Sequence, residues 1–158
     1  MILTESRTPT GSDVTDSYLE EVSQVVSFEI GAEEYAVDIL EVQEINRMVE
    51  ITRVPTAPSY VEGVINLRGK VIPIIDLRLR FGLPATDRTT ESRIVVVDVN
   101  RNVIGLIVDS VSEVLRIPNS LIEPPPNGKG GGAEFHKGVG RMDNRLLILL
   151  DLKRLLGK

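Results

Sequence analysis

Apolar and polar residues alternate singly over Val26-Ser27-Phe28-Glu29-Ile30 and again over Tyr35-Ala36-Val37-Asp38-Ile39. A period of two marks a strand with one buried face, and the polar stretch Gly31-Ala32-Glu33-Glu34 between the two reads as a hairpin turn. Residues 42–45 and 51–54 read as further short strands. Pro55 and Pro58 interrupt the ladder, and Ser59 reads as the start of a helical turn ending at Glu62. A second hairpin is predicted from 64–67 and 70–75 around Arg68-Gly69, where Gly69 supplies the positive φ of a tight turn and Arg68 lies at the tip. Asp76 is placed to cap a short helix over 77–81 that Gly82 ends. The second half runs through strands at 94–99, 103–108 and 111–117, with a turn at Asn100-Arg101-Asn102. A last hairpin, 139–142 and 145–150 around Asp143-Asn144, leads to a terminal helix over 152–156 capped by Asp151. The Pro/Gly-rich stretch 124–132 reads as a flexible surface loop. Residues 1–21, rich in Ser, Thr, Asp and Glu, read as a disordered tail.

The two halves resemble each other. The segment from Val61 lies on the segment from His136 without gaps, a shift of 75 residues (136 − 61): Gly63 meets Gly138, Asp76 meets Asp151, and Arg68-Gly69 falls on Asp143-Asn144. Upstream, Val26 to Ile45 lies on Val95 to Val114 at a shift of 69 (95 − 26), with Glu44 on Glu113. Repeated turns, caps and strands predict two similar β units of about five strands each. Neither is large enough to be very stable alone, so the two should pack on each other across a third apolar zone and leave a groove between them.

Composition narrows the function. With 42% apolar residues and few aromatics (three Tyr, three Phe, no Trp), the core must come from Val, Ile and Leu. The net charge of -5 argues against a general nucleic-acid binder. The absence of Cys excludes disulfides and thiolate metal sites and fits a reducing cytoplasm. Met1-Ile2-Leu3-Thr4-Glu5 is not a signal-peptide start, and the run Leu146 to Leu150 is far too short to span a bilayer.

Catalytic constellations do not assemble from this sequence. A zinc site or a Ser-His-Asp triad would each depend on the one histidine, His136, read as an ordinary surface or loop-edge residue. The glycines at 128–132 lack the Gly-Lys-Ser/Thr ending of a phosphate loop. Glu33-Glu34 reads as a solvated turn pair, and Asp76 and Asp151 as caps. Exposed aromatics for stacking nucleotides are not apparent, because the aromatics are dispersed.

Three segments carry a family resemblance: Glu34 to Ile45 (EYAVDILEVQEI), Val61 to Leu77 (VEGVINLRGKVIPIIDL) and Gly105 to Leu115 (GLIVDSVSEVL). Together they resemble CheW, the coupling protein of bacterial chemotaxis, over roughly residues 24–158. The resemblance implies a mainly β fold of two intertwined SH3-like five-stranded barrels with a few short helices. The expected organisation is a tail at 1–21 and one domain at 22–158, with lobes near 22–90 and 91–158 whose boundaries are free to interleave. It also implies a non-catalytic adaptor without cofactor, cytoplasmic and brought to the membrane by receptor arrays. Its implied partners are the cytoplasmic tip of a chemoreceptor and the regulatory domain of the histidine kinase CheA. Carried onto this chain, the partner-binding positions are Val42, Glu44, Gly63, Asn66, Leu67, Arg68 and Val111.

The residues alone also allow blander readings. Arg68 reads as a solvated turn residue, Glu44 as a solvent-face carboxylate, or the two as an internal pair; Gly63, shared with Gly138, reads as a backbone requirement. A paralogue serving another chemosensory array fits the same motifs. A small-ligand or oligonucleotide-binding barrel is the rival from another class, opposed by the net charge.

Overall fold

The computed structural model describes residues 21–125 and 132–157. All of the expected tail except Glu21, and positions 126–131 of the expected loop, lie outside the described residues. The first half gives β1 (Val22–Ile30), β2 (Glu33–Asp38), β3 (Val42–Arg47), β4 (Val61–Leu67), β5 (Lys70–Asp76) and helix α1 (Leu77–Arg80). The second gives β6 (Arg93–Val99), β7 (Asn102–Val108), β8 (Ser110–Pro118), β9 (Ile122–Glu123), β10 (His136–Met142), β11 (Arg145–Leu150) and helix α2 (Leu152–Gly157).

The strands form two curled sheets, the SH3-like lobes expected from the sequence. One has five strands in the order β3-β6-β7-β5-β4; the other has six, β8-β1-β2-β11-β10-β9. Replacing each strand of the first order by its repeat equivalent gives β8-β1-β2-β11-β10, the order of the second without its edge strand β9. The pseudo-symmetry therefore holds in space as well as along the chain. Each lobe is made by exchange. The β1–β2 hairpin joins the strands of the second half, and the β6–β7 hairpin joins those of the first. Each exchanged hairpin is bordered by one antiparallel seam, β1 with β8 or β3 with β6, and one parallel seam, β2 with β11 or β5 with β7. A cut near residue 90 thus divides the chain but not the sheets.

The tight turns recur in kind. Arg68 and Gly69 (φ 51° and 84°), Asn100 and Arg101 (52° and 69°), and Asp143 and Asn144 (52° and 63°) all sit at positive φ. That is the mirror-image turn whose twist matches a hairpin. Both predicted helix caps form: the Asp76 carboxylate accepts from the Arg78 amide at 2.9 Å and Asp151 from the Arg154 amide at 3.1 Å.

Three local expectations give way to sheet pairing. Glu62 belongs to β4 rather than to a helical turn from Ser59, because β4 extends far enough for Val61 to pair with Ile75. Residues 51–54 make no strand; only Thr52 bridges Val64, through amide–carbonyl bonds of 2.9 and 2.8 Å. Glu33-Glu34 opens β2 instead of lying in the turn.

The core has three parts. The largest lies between the lobes and takes Val26, Phe28 and Ile30 from β1, Val95, Val97 and Val99 from β6, and Leu77 and Leu155 from the helices. Ile65, Ile72, Ile94 and Val96 fill the five-stranded lobe. Val25, Ala36, Ile117 and Leu147 fill the other. β1 and β6 are consequently buried on both faces, which alternation over 26–30 does not reveal. Ser27 sits fully buried at a β-bulge, its hydroxyl donating to the Glu113 carbonyl (3.2 Å) and accepting from the Glu113 amide (3.3 Å). The dispersed aromatics converge: Phe28, Tyr35, Phe81 and Phe135 pack in a chain with centroids 5.2–6.2 Å apart, all buried in the inter-lobe core.

Candidate functional site

The motif residues fall into three places. Glu44, Asn66, Leu67 and Arg68 gather where the five-stranded lobe closes on itself. Glu44 stands on β3, at one edge of the sheet; Arg68 stands at the β4–β5 tip, reaching it from the other edge strand. An Arg68 Nη2–Glu44 Oε2 ion pair joins them, with Arg68 71% exposed and Glu44 23%. Asn66, itself exposed, steadies the tip, its side-chain oxygen accepting from the Gly69 amide at 3.0 Å. Leu67 packs on the small core of that lobe. Of the readings open for Arg68 and Glu44, the internal pair forms, with the guanidinium still largely exposed.

Val42 and Val111 form the second place. They are repeat equivalents, shifted by 69 positions (111 − 42), on edge strands β3 and β8 of opposite lobes. Both are half-buried against the inter-lobe core. Gly63 forms the third place, buried in β4 beside a register shift; its φ is 155°, and a Cβ there would come within 2.1 Å of the Thr52 carbonyl. Gly138 sits beside the equivalent shift in β10, without the positive φ, and a Cβ there would meet Ile122 at 3.1 Å. Close approach of a crossing segment is the shared requirement. It accounts for Gly63 structurally.

The six-stranded lobe closes in the same way. Glu113, the repeat equivalent of Glu44, accepts from Arg145 Nη1 at 2.7 Å, while Arg145 Nη2 lies 2.5 Å from Glu34. Hydrogen bonds donated to Glu34 and Glu113 hold the Arg145 guanidinium above the usual arginine range. Exposed apolar residues recur at matched positions: Ile45 and Val114 on the edge strands, Val71 and Leu146 just past the tips. The sequence reading singled out none of these four, although the repeat shifts of 69 and 75 positions carry each onto its partner. It also missed Leu40, 90% exposed in a 3-10 turn over Ile39–Glu41 whose start Asp38 caps.

A cleft of about 450 Å³ lies between the lobes, lined by Gly31, Tyr35, Arg78, Leu83, His136 and Ile148 among others. Arg78 closes one wall through a two-pronged bond to Asp109 (3.0 and 2.6 Å), and Asp109 also accepts from the Gly31 amide (2.8 Å). Burial works to raise the Asp109 pKa, but Arg78 and the Gly31 amide outweigh it and hold the carboxyl below its ordinary value. His136 opens β10 where the Ala133–Phe135 turn ends, at the loop edge as expected, and is half-buried. Its ring lies 6.2 Å from that of Tyr35 and its buried Nε2 has no hydrogen-bond partner in the described residues. Asp76 is more than a cap: it is buried and, with Glu62, flanks Arg88 at 3.2 and 3.4 Å. No cluster of three or more metal-ligating side chains occurs among the described residues, nor does any helix there have the length and apolarity to cross a membrane.

The family model for the CheW-like domain matches residues 24–158. The chain is 41% identical over 139 residues to the chemotaxis protein CheW of Helicobacter pylori, covering 88% of this chain and 84% of that protein. It is 39% identical over 133 residues to a probable chemotaxis protein CheW of Rhizobium etli, covering 84% and 86% respectively. The crystal structure of the scaffolding protein TtCheW from Thermoanaerobacter tengcongensis superposes with a TM-score of 0.82 at 38% identity, over 87% of this chain and 94% of that one.

Proposed function

The chain belongs to the CheW-like domain family, and on that premise we infer that it serves chemotaxis as a scaffold, an adaptor that couples signalling proteins. The finer reading is that it joins the cytoplasmic tip of a chemoreceptor to the regulatory domain of the histidine kinase CheA, catalyses nothing itself, and reaches the membrane only through its receptor. Binding both partners at once raises their effective concentration and lets a small movement of one bias the other.

One observation carries this reading beyond family membership. The residues that the motifs single out lie at lobe edges, where Arg68 and the exposed Ile45 and Val71 face outward from a strand edge and a hairpin tip. An exposed guanidinium and exposed aliphatic side chains on the edges of one lobe are what a modest protein–protein contact uses: an apolar centre with a polar rim. In this reading Glu44 orients Arg68 toward its partner, and Val42 and Val111 border the inter-lobe side of the contact surface. Asn66, Leu67 and Gly63 act through the shape of the β4–β5 hairpin. The same reading keeps 22–158 as one functional unit.

Co-purification with a receptor signalling tip and with the CheA regulatory domain tests the proposal. Retention of both partners on the full chain, weakened by Arg68→Glu without loss of β structure, is the expected result. Retention of neither would defeat it.

A further inference from the structure

At the far end of the β3–β6 pair the register sets Arg47 directly opposite Arg93. Residues opposite each other on antiparallel strands share a face and hold their Cβ atoms roughly 5 Å apart, so two like charges there repel. Such a pair is ordinarily relieved by a nearby carboxylate. Among the described residues none makes an ion pair with either guanidinium. Arg47 is exposed and its side chain has no hydrogen-bond partner among the described residues. Arg93 is half-buried and is held in place by Nη1, which donates to the carbonyls of Thr90 and Ser92, each at 2.8 Å. Its Nε and Nη2 make no such bond among the described residues.

The two arginines line a concavity of about 390 Å³ together with Met48, Thr89, Thr90 and Ser92. Ser92 Oγ accepts from the Thr89 amide and Thr89 Oγ1 from the Glu91 amide, so the Thr89–Ser92 turn is internally tied. One wall is therefore rigid and bears the anchored guanidinium of Arg93, while Arg47 is free to swing over the opening.

We propose that the Arg47–Arg93 concavity is a docking point for a carboxylate side chain of a protein partner. A fixed guanidinium with two open donors and a second, mobile one can each engage a carboxylate oxygen, and charge-assisted bonds of this kind are the strong ones. The bound anion would also cancel the repulsion that the β3–β6 register imposes. Ile45 lies two positions from Arg47 on the same outward side of β3, and Val49, 50% exposed, lies just beyond. The matching partner surface is an acidic residue flanked by aliphatic ones that continues along β3 over Ile45. That the occupant is a protein rests on the adaptor reading; that the site takes an oxyanion does not.

The test titrates the full chain with a blocked hexaglutamate peptide, with hexaglutamine as the neutral control and inorganic phosphate as a third arm, followed by amide chemical shifts. The expected result is a saturable shift at Arg47, Thr90 and Arg93 with hexaglutamate and not with hexaglutamine. Arg47→Ala should weaken it about tenfold, the scale of one lost charge-assisted contact, and Arg47→Lys should restore part. The Arg47 side chain has no partner to lose among the described residues, so the variant should keep the fold, as its circular dichroism checks. Hexaglutamate shifts elsewhere, or unchanged in Arg47→Ala, would overturn the site. Phosphate binding tighter than hexaglutamate would overturn the assignment to a carboxylate. Co-purification with receptor and kinase is scored separately, so a failed adaptor reading and a failed anion site give different results.

Discussion

Arg80 and Leu155 occupy the same position of the two repeats, 75 residues apart (155 − 80), and they touch: Arg80 Nε and Nη2 both donate to the Leu155 carbonyl, at 3.1 and 3.0 Å. The guanidinium also lies 4.2 Å from the Tyr60 ring centroid and 4.7 Å from that of Phe135. Tyr60 precedes β4 of the five-stranded lobe, while Phe135 and Leu155 flank strands of the other. One side chain thus fastens the two lobes where their pseudo-symmetric helices meet.

Removing that fastener should cost more than a surface arginine would. Arg80→Met keeps the aliphatic stem but loses two cation–π contacts and a doubly bonded carbonyl, together about 2–3 kcal/mol. Melting should fall by about 2–4 °C for each kcal/mol lost in a chain of this size. Arg80→Lys keeps the charge without the fork and should recover less than half. A melting point unchanged in Arg80→Met would show that the lobes are held by the apolar core alone.

The two bulge glycines differ in both closeness of approach and backbone conformation. Gly63→Ala places a Cβ against the Thr52 carbonyl at 2.1 Å and demands a φ of 155° from an alanine. Gly138→Ala meets only Ile122 and the Glu123 carbonyl, at 3.1 and 3.3 Å. Urea denaturation should show a loss of about 3–4 kcal/mol for the first and about 1 kcal/mol for the second. Equal losses would mean that neither the positive φ nor the closer Thr52 carbonyl at Gly63 costs more than the contacts at Gly138.

Periodicity made the hairpins, the mirror-image turns and both helix caps legible, because each depends on a few adjacent residues. Repeat alignment made the pairing of halves legible, and the motifs placed Glu44 and Arg68 before their ion pair was seen. The exchange of hairpins between lobes was not derivable from periodicity: β2–β11 and β5–β7 pairings join residues far apart in sequence, and local pattern is silent on them. Burial of both faces of β1 was hidden for the same reason, since Ser27 reads as a solvent-facing polar residue until Glu113 is brought beside it. Arg47 opposite Arg93 is likewise a product of register.

The Glu44–Arg68 pair should matter little to stability. An exposed pair of this type contributes about 0–1 kcal/mol, so a double-mutant cycle of Glu44→Gln and Arg68→Gln should give a coupling energy below about 1 kcal/mol. The exchanged variant, Glu44→Arg with Arg68→Glu, should fold normally by circular dichroism and yet bind partners poorly, because the outward charge at the tip has changed sign. Full partner retention by the exchanged variant would reduce the pair to a lobe-closing device.

His136 gives the chain a pH dependence of its own. Burial holds its pKa below the ordinary 6.5, and Glu33 pulls it partly back. A histidine whose folded pKa is depressed takes up its proton more readily when unfolded, so its contribution is complete above about pH 6.5 and is lost as pH falls toward the folded value. The chain has one histidine, so no second imidazole obscures the effect. Glu41, whose carboxyl is held above its usual range chiefly by burial, works in the opposite sense and at lower pH. The urea midpoint of the native chain should therefore decline from pH 7.5 to pH 5.5. His136→Leu replaces a ring with an unpartnered Nε2 by an apolar side chain on the rim of the inter-lobe cleft. It should flatten that decline while leaving the midpoint at pH 7.5 the same or higher. An equal slope in both proteins would place the titrating group elsewhere.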